Sequence, residues 1–363
     1  MEGLAKRGVW AAAASLLLLG TSACGSLGST PGSSSTSGSG ASNTVAVDVG
    51  LPTPVQLSTG KLKIGVFMNA QSNQWQKNIV AAETERAQSF GWDIKVLDFN
   101  YDQQKMLDAM QTAVTNHTYD AWVVNPIDGA ASCKMVTETA PAANILITVT
   151  GTTVCGRDLN TGKDLWAPGT YSYHAMAPSP QYFKAWFNAT AKANPGPQKV
   201  AVLVGPAENG ASILTQKIAK EFEASKPDFK VADYINTDFT APTSLTATQA
   251  YLQAHKDTTL LMSIYSPDIS QGMVQAVKSL GLQDKVKMTD AGGAQFTIDQ
   301  IKAGVIQLTM PYYPKTQGEN AVQAIKDAQD GVQPKRIYDE IPGGIEKALV
   351  VTKDNVDSFV PQS

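Results

Sequence analysis

The sequence predicts an α/β protein made of two doubly wound, Rossmann-like parallel-sheet domains. Three observations lead there. Short β-branched runs alternate with amphipathic stretches from about Leu62 onward, as expected when strands are covered by helices on both faces. The strand pattern also recurs: Leu62–Met68, Ile94–Leu97, Ala121–Val124 and Ile145–Val149 have counterparts at Lys199–Val204, Phe229–Ile235, Thr259–Ser263 and Val286–Thr289. Each counterpart starts about 135 to 141 residues later, a repeat of spacing rather than of residue identity. Finally, 363 residues with 43% hydrophobic side chains are ample for two cores.

The elements follow in order. Lys6-Arg7, an apolar run from Gly8 to Gly20 and small residues up to Ala23 form a secretory signal peptide over residues 1–23. The run is too short for a permanent membrane span. Thr21-Ser22-Ala23-Cys24-Gly25 resembles a bacterial lipobox, with Thr21 where an aliphatic residue is usual, so Cys24 is expected to carry lipid as the mature N-terminus. Residues 24–60 are dense in Ser, Gly, Thr and Pro and read as a disordered tether that cannot bury enough apolar surface to order itself. Helices are expected from Gln74 to Phe90, stopped at Gly91, from Asp102 to about Asn116, and from Gly129 to Ala140.

Charge and cysteine content narrow the function. A net charge of −3 leaves no basic footprint for nucleic acid or anionic lipid, and no second long apolar run follows the signal. With Cys24 lipidated, Cys133 and Cys155 remain in an oxidising compartment and are expected to pair. Closing a loop of about 20 residues would add roughly 3 kcal/mol by chain entropy.

Doubly wound sheets bind ligands at the carboxyl ends of their strands, and two facing sheets make a cleft. At those ends stand Asn69 to Trp75, Asn125-Pro126-Ile127-Asp128 and Thr148 to Gly151, then Asp238-Phe239, Ser263 to Asp268 and Asp290 to Gly293. Amides, hydroxyls, carboxylates and aromatics together suit a polar ligand with an apolar face.

On these residues the chain resembles the type I periplasmic solute-binding proteins, specifically the ribose- and galactose-binding branch serving ABC transporters. The resemblance covers about residues 61 to 355 and rests on Asn73-x-Trp75, Asn125-Pro126-x-Asp128, and the order Phe239, Ser266-Pro267-Asp268, Asp290. It implies two domains joined by a three-strand hinge, with crossings near residues 177, 312 and 341 and Gly343-Gly344 at the last. The first domain would be 61–177 with 313–341, the second 178–312 with 342–363. It further implies that Trp75 and Phe239 stack on the solute from opposite domains, that Asp290 accepts from hydroxyls, and that Tyr312 takes a crossover position often held by glutamine. Asn73, Thr150, Asn209 and Ser266 complete the expected contacts, while Asn125 and Asp128 are read as shaping their loop.

Departures from the branch point away from ribose. Thr150-Gly151 replaces an Asp-Arg pair, the helix opening at Asn209-Gly210-Ala211-Ser212 lacks the expected arginine, and Ser266 replaces an asparagine. Hydrogen bonds to charged groups are typically worth about 1.5 to 3 kcal/mol each, so their loss implies different ligand chemistry. An enzyme is disfavoured: the three histidines, His117, His174 and His255, lie in separate segments, and no nucleophile elbow, P-loop or dinucleotide fingerprint occurs. The expectation is a monomeric, lipid-anchored substrate-binding component of an ABC importer, on the outer face of the cytoplasmic membrane. It would deliver a small neutral sugar or polyol to a permease, without cofactor, metal or nucleic acid. A sensor passing the bound signal to a membrane receptor or kinase uses the same clamp and remains the alternative.

Overall fold

Parallel strands alternate with helices through the residues that this computed structural model describes, 43–157, 165–175, 179–207, 209–333, 335–339, 341 and 349–362. The first described element is a surprise. Residues expected to belong to the tether form an antiparallel hairpin, β1 (Thr44–Val47) with β2 (Val55–Ser58). Val47, Val49, Val55 and Leu57 are buried, an alternation that the surrounding Ser, Thr, Pro and Gly masked when composition was averaged over the segment. Arg336 holds the hairpin through Asp48, and Gln56 N–H donates to Asn144 Oδ1 at 3.0 Å. The signal peptide, Cys24 and the rest of the expected tether lie outside the described residues.

The first lobe continues with β3 (Lys63–Met68), α1 (Gln74–Ser89), β4 (Asp93–Asp98), α2 (Gln103–Thr115), β5 (Ala121–Asn125), α3 (Gly129–Lys134), a π-helical turn (Met135–Thr139), α4 (Ala140–Ala142), β6 (Leu146–Gly151) and β7 (Ser172–Ala175). The second has α5 (Pro180–Ala193), β8 (Gln198–Val204), α6 (Gly210–Ser225), β9 (Phe229–Asn236), α7 (Ala241–Ala254), β10 (Leu260–Ser263), α8 (Asp268–Ser279), β11 (Lys287–Gly292), α9 (Gln295–Lys302) and β12 (Leu308–Pro311). The chain then returns through α10 (Pro314–Gln329) and β13 (Ile337–Asp339) to the first lobe, and ends with β14 (Val351–Thr352) in the second.

The two six-stranded sheets have matching orders, β4-β3-β5-β6-β7-β13 and β9-β8-β10-β11-β12-β14. All pairings within them are parallel except β12 with β14. Central strands β5 and β6 are buried at every residue, as helices on both faces require. Edge strands β4 and β9 are partly exposed and keep charged residues among their apolar ones. Sequence reading found the first four strands of each sheet and missed β7, β12, β13 and β14, which are short.

Helix termini set where polar side chains stand. Asn73 caps α1 in a reciprocal box with Gln76, and Asp128 and Asn209 cap α3 and α6. Cys133 and Cys155 form a disulfide, Cα to Cα 4.7 Å, joining α3 to the loop after β6. The chain passes between the sheets after β7, after β12 and after β13. The expected crossing near residue 177 and the Gly343-Gly344 pair lie outside the described residues.

Candidate functional site

Both sheets present their strand carboxyl ends to a cavity between the lobes. Its inner chamber has about 620 Å³ of open space, walled by Asn69, Asn73, Gln76 and Asn125 of the first lobe and Asn209, Phe239 and Tyr265 of the second, with Trp75 and Tyr312 completing it. Tyr101, Gly151, Thr152, Ala211 and Ile264 fill the remaining wall, so none of the described lining residues is charged. The chamber opens past Tyr101, Thr152, Asn209 and Phe239 into a mouth of about 1720 Å³, where Asp128 and Asp238 stand.

The first-lobe wall is a connected set of amides. Asn69 Oδ1 accepts from the Ala70 backbone and from Gln76 Nε2, at 2.7 and 3.0 Å, while its own Nδ2 donates to Asn125 Oδ1 at 3.2 Å. Gln76 also donates to the Tyr101 hydroxyl at 2.8 Å. One donor is left over. Asn125 Nδ2 is buried and has no partner, although Asn125 is one of the residues of the cavity wall. Gly151 makes this packing possible, because a Cβ there would stand 2.9 Å from that nitrogen and its φ of 69° lies in the left-handed region.

Aromatic rings dominate the opposite side. Phe239 has a φ of 63°, unusual for a bulky residue, and its N–H donates to Thr237 Oγ1 at 3.2 Å. Its ring lies against Gly205, where an added Cβ would come within 2.1 Å, and edge-on to Tyr265 at 5.9 Å between centroids. Backbone strain of this kind costs about 1–3 kcal/mol and is retained where surroundings over-determine it. Tyr312, at the second crossing between lobes, donates to Ile264 O at 2.7 Å and packs 6.5 Å from Tyr265.

Of the residues expected to contact a ligand, Asn73, Trp75, Asn209, Phe239 and Tyr312 stand on the wall of one cavity. Thr150, Ser266 and Asp290 do not reach its wall. Thr150 is buried within β6, and its neighbours Gly151 and Thr152 take the surface instead. Ser266 and Asp290 face each other's surroundings inside the second lobe. Thr297 donates to Asp290 Oδ2, and the Thr297 and Ser266 hydroxyls lie 2.6 Å apart. Burial pushes the Asp290 carboxyl up to about 6 despite the hydrogen bond from Thr297, and its Oδ1 is buried without a partner. Asn125, read from sequence as a loop former, stands on the wall. Tyr265, Asn69, Gln76 and Tyr101 were missed; lying beyond strand ends was the signal for all but Gln76, which stands in the first turn of α1, and nothing in the local pattern distinguished Tyr265 from a core aromatic. Among the described residues no group of three or more His, Cys, Asp or Glu stands together to hold a metal.

Comparison with known proteins accords with this geometry. Residues 64–333 match the family described as periplasmic binding protein domain. An ABC transporter solute-binding protein from Bacillus halodurans, with bound myo-inositol, superposes with a TM-score of 0.70 at 17% identity over 83% of this chain and 98% of that one. The Caulobacter myo-inositol binding protein gives 0.69 at 19% identity, over 82% and 95%. A Mycobacterium smegmatis solute-binding protein with bound glycerol gives 0.69 at 21%, over 84% and 98%. Comparison with curated protein sequences gives no significant match. These solved structures share the type I fold, and the family is one of solute binders rather than enzymes. With its matching sheets, inter-lobe cavity and family match over most of its length, the chain belongs to the periplasmic binding protein family.

Proposed function

We propose that the protein captures a small neutral sugar or polyol and delivers it to the permease of an ABC importer, tethered outside the cytoplasmic membrane through lipid on Cys24. The solute would sit between a first domain of residues 61–177 with 313–341 and a second of 178–312 with 342–363. One observation carries the reading of the ligand: the inner chamber is walled by amides and aromatic rings, with no charged side chain among its described residues. Amides both donate and accept, which suits hydroxyls, and aromatic faces suit the C–H face of a ring or a carbon chain. An anion or cation entering this chamber would lose water without gaining a countercharge, which is costly in a closed site. The myo-inositol and glycerol held by proteins of similar fold are neutral and rich in hydroxyls, in agreement with this chemistry.

Titration calorimetry with pentoses, hexoses, pentitols, tetritols, myo-inositol and glycerol tests the proposal. At least one should bind with micromolar or tighter affinity. Tight binding of a sugar acid, phosphate ester or amino acid, with no response to any neutral compound, would overturn it.

A further inference from the structure

Two hydrogen bonds join the lobes directly across the inner chamber, and both are made by Tyr265. Its hydroxyl donates to Asn73 Oδ1 at 2.8 Å and accepts the Trp75 backbone N–H at 2.9 Å. Tyr265 lies just beyond β10 in the second lobe; Asn73 and Trp75 open α1 in the first. The Trp75 N–H belongs to the first turn of α1, whose amides have no carbonyl partner within the helix. Asn73 Oδ1 already accepts from Gln76 N at 3.0 Å, so the cap satisfies Gln76 and leaves Trp75 to the opposite lobe. The second lobe thus completes the capping of a first-lobe helix.

We propose that Tyr265 is a positioning residue that latches the lobes together before any solute binds, holding Trp75 and Asn73 where the solute will meet them. The inference rests on reading the cavity as a solute cleft. Three further contacts support a defined position for the phenol. Its ring is buried, edge-on to Phe239 at 5.9 Å and tilted against Tyr312 at 6.5 Å. At the start of α8, three residues beyond Tyr265, Asp268 reaches the backbone N–H of Gln74, at the same end of α1. A carboxylate there is favoured by the positive end of the helix dipole. Opening the lobes returns these groups to water, so the latch shifts the open–closed balance modestly, by about tenfold, the ordinary weight of one or two net hydrogen bonds. A binding site whose competent state is already populated needs less of the solute's own binding energy for closure.

The test uses the protein without solute, freed of any carried ligand by unfolding and refolding, so it stands whatever the sugar and polyol panel returns. Tyr265→Phe keeps the ring and removes only the hydroxyl. Residue-resolved hydrogen exchange should show the Trp75 amide protected in the parent and about tenfold faster in Tyr265→Phe, and small-angle scattering should show a larger radius of gyration for the variant. Asn73→Ser, which retains a capping oxygen but is too short to reach the phenol, should expand the ligand-free protein in the same way and serves if Tyr265→Phe does not fold. A Trp75 amide exchanging equally in parent and variant, or scattering curves that superimpose, would overturn the latch.

Discussion

The two lobes share one topology yet distribute their polar groups in opposite ways. In the first, residues beyond the strand ends turn amides onto the cavity wall: Asn69, Asn73, Gln76 and Asn125 form one hydrogen-bonded set there. In the second, corresponding positions turn inward. Thr297 bonds to both Ser266 and Asp290 beneath the surface, and the rings of Phe239 and Tyr265 take most of the wall beside Asn209. Fold position therefore tells which segments approach the cleft, while local partners decide which side chains face it. The Asp290 carboxyl is held inside its own lobe by Thr297, where burial favours its protonated form.

Changing pH breaks the comparison most severely if it is wrong. Asp290 is raised from an ordinary value of 3.8 to about 6 by burial, so the folded state holds its proton more tightly than the unfolded chain does. Between pH 3.8 and about 6 the unfolded state releases this proton first, and stability falls as pH rises. The fall amounts to about 3 kcal/mol in all and is complete above the folded value. Glu83, fully buried between α1 and α10 without a hydrogen-bond partner, slopes the same way, so the difference between parent and Asp290→Asn is the quantity to measure. Urea unfolding at pH 4 and pH 7 should show a smaller loss in Asp290→Asn. Equal losses would mean that Asp290 is solvated and belongs on the cavity wall after all.

Aromatic truncation comes next in size. Trp75 and Phe239 approach the same chamber from different lobes. Removing either ring, Trp75 buried and Phe239 partly buried, should weaken binding of the best neutral compound by about 1 to 3 kcal/mol, the usual range for an important interface contact. Calorimetry on Trp75→Ala and Phe239→Ala checks this. Trp75 also packs in the core, so a loss of thermal stability without a change in affinity in Trp75→Ala would assign its ring to packing alone.

Much of this arrangement was legible because spacing survives where identity does not. Observed strands β3, β4, β5 and β6 begin at Lys63, Asp93, Ala121 and Leu146, and β8, β9, β10 and β11 at Gln198, Phe229, Leu260 and Lys287, close to the expected positions. The disulfide followed from thiol number and compartment. What escaped was decided by contacts far apart in sequence. The β1–β2 hairpin is ordered by Arg336 and Asn144, neither of which its own composition reveals. Tyr265 is a wall residue because α1 of the other lobe presents an uncapped amide to it. Asp290 is held inside its lobe by Thr297, which stands in the first turn of α9 and reaches back to it.

Asn125 offers the finest division between the two lobes. Its Oδ1 is occupied by Asn69, so the oxygen serves the first-lobe amide set and not a ligand. Its Nδ2 is buried and unpartnered, in a residue of the cavity wall. An unmet buried donor costs about 1–3 kcal/mol, and a solute hydroxyl that accepts from it would recover part of that on binding. Asn125→Asp keeps the shape and an acceptor for Asn69 while deleting the donor and adding charge; Asn125→Ala deletes both groups. The alanine variant should weaken the best neutral binder by about 1 kcal/mol, a typical net hydrogen bond, with little change in the unliganded protein's melting temperature because one loss offsets the relief of the unmet donor. The aspartate variant should weaken it further, since a carboxylate can only accept from the solute and must be desolvated in the closed chamber. Calorimetry with both variants separates these outcomes, and unchanged affinity in Asn125→Ala would return Asn125 to shaping the loop before Asp128.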